Sequence, residues 1–109
     1  MIEIVLLYFD GCPSWKSALE NLHKALDSEQ IQARVSLLKI DSPEQAQQEH
    51  FLGSPSIRVN GVDLWPEERT NYALSCRVYR TPSGMEGSPT VEMLRERFRE
   101  AISISENPD

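Results

Sequence analysis

The sequence is poor in cysteine and histidine, with two of each in 109 residues. Two cysteines, Cys12 and Cys76, cannot build a disulfide scaffold. With only His23 and His50 beside them, distant in sequence, they also lack the ligand spacing of a zinc site. No C-x-x-C occurs. Basic residues are scarce too: 11 Lys and Arg stand against 17 Asp and Glu, a formal charge of −6. A general nucleic-acid binder needs a basic face, so that class is not expected. Long apolar runs are missing. The longest, Ile4 to Phe9, falls far short of the roughly 20 residues that span a bilayer, so no membrane partner is expected. The N-terminus lacks the basic start and small-residue cleavage site of a signal peptide. The expectation is a cytoplasmic protein whose thiols are free, catalytic or redox-sensing. No metal or cofactor is called for.

What is present is ordinary for a globular chain: 39% hydrophobic, 26% charged and seven prolines. A domain of this length buries roughly two-thirds of its unfolded surface, enough for a core without staples. One domain is expected over residues 1–102, followed by a polar, frayed tail at 103–109.

Residues 2–9 are apolar, β-branched and aromatic, and read as a strand buried on both faces. Asp10-Gly11 ends it, and Pro13 suits the first turn of a helix. Trp15, Leu19, Leu22 and Leu26 then form a helical stripe. Ala33 to Ile40 reads as a second strand, parallel to the first across the helix. Ser42-Pro43-Glu44-Gln45 starts a short helix to about Phe51, with Ser42 as cap and Gln45 closing a capping box. His23 and His50 both fall in helices on this reading. Ser56–Val59 and Val62–Trp65 flank Asn60-Gly61, a strong hairpin signal. An irregular loop is expected at about 66–88, and loops that long are usually functional or mobile. Its stretch from Arg69 to Arg80 carries three arginines and no acid. Ser88-Pro89-Thr90 opens a last helix with Val91, Leu94, Phe98 and Ile102 on one face. The fold class is therefore α/β, in the order β-α-β-α-β-β-α, with a mixed four-stranded sheet and three main helices.

Two motifs stand at special places in this order. Gly11-Cys12-Pro13-Ser14-Trp15 follows the first strand, and Gly53-Ser54-Pro55-Ser56-Ile57 precedes the third. In this the chain resembles the thioredoxin-like superfamily over about residues 1–65 and 88–102. More closely, it is similar to a bacterial group that pairs a C-P-x-W turn with a later S-C-R-x-Y-R segment, here Ser75 to Arg80. The resemblance implies that Cys12 is the attacking thiol and Pro55 a cis proline facing it. Trp15 stands where a second cysteine is usual.

Elementary chemistry supports Cys12 as well. At a helix N-terminus, unpaired N–H groups and the macrodipole stabilise a thiolate. The alternative is a small residue packed at a strand end. Trp15 cannot resolve a mixed disulfide; it starts the helical stripe, or else lies as a lid over Cys12. Cys76, 64 residues after Cys12, is the remaining candidate for a resolving thiol. That role requires its loop to fold back over Cys12, with the two Cα atoms within about 7 Å; the alternative is a solvated basic loop with a packed cysteine. Arg77 and Arg80 would favour a nearby thiolate or clasp a carboxylate or oxyanion. The peptide at Ser54-Pro55 would offer backbone groups to which an extended substrate pairs as an added strand. Asp10 is a candidate proton acceptor or a turn residue.

Three functions compete. The first is a thiol–disulfide oxidoreductase with Cys12 as nucleophile, resolved by Cys76 or by an external thiol such as glutathione; Pro13, Trp15, Ser54, Pro55, Arg77 and Arg80 would contact the substrate, a protein or small-molecule disulfide or thiol. The second is a non-catalytic module on the same scaffold, binding through the Arg69–Arg80 loop. The third is soft-metal binding, of mercury or arsenic, by two facing thiolates. A homodimer through an exposed Val62 or Trp65 is a further expectation.

Overall fold

The computed structural model describes residues 2–106, with side chains to Ile102. Nine elements follow one another: β1 (Ile2–Tyr8), α1 (Trp15–Ser28), β2 (Ala33–Lys39), α2 (Pro43–Glu49), β3 (Ser56–Val59), β4 (Val62–Asp63), β5 (Tyr79–Thr81), β6 (Gly84–Glu86) and α3 (Val91–Glu106). The first four strands make one mixed sheet in the order β2-β1-β3-β4. β1 runs parallel to β2 and antiparallel to β3, so that Leu6 lies between Leu37 and Ile57.

The alternation along β1 sets the layers. Ile4 and Leu6 enter a core with Ala18, Leu22, Ala25 and Leu26 of α1 and with Leu94 and Phe98 of α3. Leu7 points the other way, to Ile40, Ala46 of α2 and Phe51. The strand is buried on both faces, as its unbroken apolar run implies. Each fully buried Leu, Ile or Phe contributes about 1.5–3 kcal/mol. α1 and α3 lie side by side on one face. Asn21 Nδ2 donates to Pro89 O at 2.9 Å, and Glu29 at the end of α1 bonds Arg95 and Arg99 of α3, at 2.8 and 2.9 Å.

Short-range signals act largely as read. Asn60 and Gly61 both hold positive φ, 50° and 87°, as a tight hairpin requires. Ser42 Oγ accepts from Gln45 N at 3.1 Å. Gln45 Oε1, however, takes the N–H of Asp41, one residue before the cap, so the capping box is shifted by one. His50 is not in α2 but caps it, in the left-handed conformation at φ 53°. Pro13 also lies outside its helix: Ser14 is the cap and α1 starts at Trp15.

Two expectations are corrected further along. The stretch 66–88 is not wholly irregular: it contains the hairpin β5–β6, a separate two-stranded sheet. The order is therefore β-α-β-α-β-β-β-β-α. The hairpin was hidden because its strands are three residues each and the inward positions before and within it include Arg77 and Thr81, which carry no apolar period. The last helix runs to Glu106 instead of ending near Ile102. The part of the expected tail at 107–109 lies outside the described residues.

Candidate functional site

Cys12 sits in the turn between β1 and α1, with its N–H on Phe9 O at 3.2 Å. Its side chain is only 1% exposed. Cys12 precedes the helix cap by two residues, so it stands outside the first turn of α1. The group that holds its sulfur is a carbonyl rather than a helix N–H: Sγ donates to Ser54 O at 3.3 Å.

Ser54 and Pro55 close the other wall. The Ser54-Pro55 peptide bond is cis, and both residues are buried. Here the long loop returns. Ser54 forms a parallel bridge with Cys76. Its N–H donates to Ser75 O and its carbonyl accepts the N–H of Arg77, both at 2.8 Å. Segment 75–77 thus lies as a strap along the edge formed by Ser54, and Cys76 comes beside Cys12. Both thiols are free, Cys12 buried and Cys76 exposed. A hydrogen bond with Cys12, and secondly burial, push the Cys76 thiol above its ordinary value. Cys76 therefore keeps its proton longer than an isolated thiol would.

The strap is fastened by alternate side chains. Cys76 and Val78 face outward, Arg77 and Tyr79 inward. Arg77 Nη1 lies 3.0 Å from Asp63 Oδ2 and 3.2 Å from Ser56 Oγ, Nη2 donates to Trp65 O, and Glu67 stands 3.4 Å away. The guanidinium also lies over the Tyr79 ring, 5.1 Å from its centroid. Tyr79 donates its hydroxyl to Pro55 O at 2.6 Å. Burial pushes that phenol well above its ordinary value. At Gly53, with φ +112°, an added Cβ would come within 3.0 Å of Arg77 Cβ and 3.2 Å of its backbone nitrogen. The glycine lets the strap approach.

Several expected substrate contacts are therefore engaged elsewhere. Arg77 is a buried anchor, not a clasp open to ligand. Arg80 faces outward on β5. Trp15 stacks on Tyr8, with ring centroids 4.2 Å apart, and packs against the main core, as its place in the helical stripe implies. Pro13 is exposed in the turn. Asp10 pairs with Lys39 on the surface at 2.7 Å. His23 is exposed on α1, and His50 stacks on Tyr72 with centroids 4.9 Å apart. Trp65 is half-buried against Tyr79 and beneath Arg97, whereas Val62 is 65% exposed. Sequence reasoning missed Asp63, Glu67 and the anchoring role of Tyr79. The one available signal was the alternation Arg77, Tyr79, Thr81, which reads as polar until Asp63 is known to receive the arginine.

No family model matches the chain, and no curated protein does. A crystal structure of a protein from Bordetella parapertussis is similar in fold, with TM-score 0.52 and 20% identity, covering 92% of this chain and 96% of that one. Among the described residues, no helix is long and apolar enough to cross a membrane.

Proposed function

We propose that the protein is a thiol–disulfide oxidoreductase of thioredoxin-like type in which Cys12 and Cys76 form the redox couple. The observation that carries this reading is the strap, which brings the only two cysteines of the chain together at the Ser54 carbonyl. Cys76 supplies the second sulfur that a C-x-x-C would carry where this chain has Trp15. The thioredoxin-like assignment is supported by the parallel pairing of β1 and β2 across α1, the cysteine after β1 and the cis X-Pro before β3. The fold likeness to a solved structure is compatible with it but carries no activity.

The chemistry is two-electron exchange. The reduced pair gives two electrons and two protons to a substrate disulfide, which leaves as two thiols, and the protein retains a Cys12–Cys76 bond. Attack on the substrate makes a mixed disulfide and expels the first thiolate. The second protein thiolate then attacks that bond and expels the other. A binding module built on Arg77 is less well supported, because Asp63 and Trp65 already occupy its guanidinium.

The test is turnover of a small mixed disulfide with a small thiol as reductant. Wild-type activity lost in both Cys12→Ser and Cys76→Ser is the expected result. Activity retained in Cys76→Ser would contradict a paired-thiol mechanism. Inactivity of the wild type toward both small and peptide disulfides would contradict the enzymatic reading.

A further inference from the structure

We infer that, in the oxidised protein, a small-molecule thiol attacks at Cys76 and not at Cys12, and that the strap 75–77 keeps extended polypeptides from the same edge. This rests on the redox reading above, and it assigns that site's substrate class and the order of its sulfurs.

A polypeptide adding itself as a strand needs free backbone donors and acceptors. Ser54 and Pro55 have none to spare. The Ser54 N–H is on Ser75 O. The Ser54 carbonyl accepts from Arg77 N, and from Cys12 Sγ as well while that thiol is reduced. Pro55 has no N–H, and its carbonyl accepts the Tyr79 hydroxyl. The chain's own segment already makes the pairing that a peptide substrate would make. Displacing it would strip Arg77 from Asp63, and an unpaired buried charge is strongly unfavourable.

With the strap in place, the accessible sulfur is that of Cys76. Cys12 lies beneath at 1% exposure. A thiolate RS⁻ of the size of glutathione or cysteine can reach Cys76. Its attack forms an R–S–S–Cys76 bond and breaks the Cys12–Cys76 bond. The electron pair stays on Cys12 Sγ, which takes a proton and returns to its hydrogen bond with Ser54 O. A second RS⁻ attacks the R-bearing sulfur, RSSR departs, and the Cys76 sulfur is protonated. Two small thiols are oxidised to one disulfide, and the protein disulfide is reduced.

The test starts from the full chain oxidised to the Cys12–Cys76 disulfide. It is mixed briefly with glutathione, quenched with excess N-ethylmaleimide and mapped by mass spectrometry. The expected product carries glutathione on Cys76 and maleimide on Cys12, in at least about tenfold excess over the reverse. The reverse labelling, or equal amounts, overturns the inference and leaves the redox couple standing. Failure to form the linked starting material overturns the redox reading and this inference with it. In a parallel arm, an unstructured cysteine-containing peptide replaces glutathione. It is expected to reduce the disulfide no faster than glutathione does. Faster reduction with the peptide attached to Cys12 would show that strands do enter, and would overturn the inference.

Discussion

Arg77 and Asp63 form a buried ion pair in which one guanidinium nitrogen lies 3.1 and 3.0 Å from the two carboxylate oxygens. The side chains are 4% and 9% exposed. The pair joins the strap to the β3–β4 hairpin, and so links the placement of Cys76 to the main sheet. Removing one partner leaves a buried charge without compensation, which costs about 3–5 kcal/mol. Asp63→Ala is therefore expected to lower stability by that order in urea unfolding. It is also expected to raise the alkylation rate of Cys12 under native conditions as the strap loosens. A stability change below about 1 kcal/mol, the range of an exposed pair, would contradict the anchoring role.

Gly53 makes a second, independent test of the strap. Gly53→Ala combines a positive φ with a Cβ pressed against the Arg77 backbone. It is expected to destabilise the fold by about 1–3 kcal/mol. Faster hydrogen exchange at Ser54 N and Arg77 N should accompany the loss. Unchanged exchange at both amides would show that the close approach is dispensable.

Tyr79→Phe removes the hydroxyl from Pro55 O, an acceptor at a buried position. The loss should be about 1–3 kcal/mol, with the ring packing against Trp65 kept. A Phe variant as stable as wild type would mean that the carbonyl finds another donor.

The Cys76 thiol is raised by its hydrogen bond with Cys12 and by burial. A raised thiol stays protonated to higher pH, and only the thiolate alkylates. Iodoacetamide labelling of Cys76 should therefore begin at lower pH in Cys12→Ser than in wild type. Coincident pH profiles would show that the two sulfurs do not interact.

Away from the site, Arg99 and Arg95 hold Glu29 down, from 4.5 to about 2. A depressed carboxylate stabilises the fold above its unfolded value, and that contribution fades as pH falls from about 4.5 toward 2. Glu29→Gln should flatten acid unfolding over that window and leave its slope at neutral pH unchanged. A wild-type slope in the variant would assign acid sensitivity to other groups.

Much of the main sheet was legible because local rules decide it. The unbroken run of β1, the Asn60-Gly61 turn and the Ser42 cap each act within a few residues. The places of Cys12 after β1 and of the cis Pro55 before β3 were legible because both stand at the ends of such elements. The strap was not, because its placement depends on pairs remote in sequence: Arg77 with Asp63, Tyr79 with Pro55, Cys76 with Ser54. An inward arginine looks like a solvated one until its partner is located. For the same reason Arg77 read as a ligand clasp, although the fold uses it as a fastener.

On the proposed function, the strap makes a redox pair of two distant cysteines. Tryptic mapping after mild oxidation tests it most directly, because trypsin separates the thiols into peptides 1–16 and 70–77. The expected result is one linked species joining the two peptides, formed without dimerisation and returned to two free peptides by reductant. Two unlinked peptides, each with a free or separately modified thiol, would contradict it.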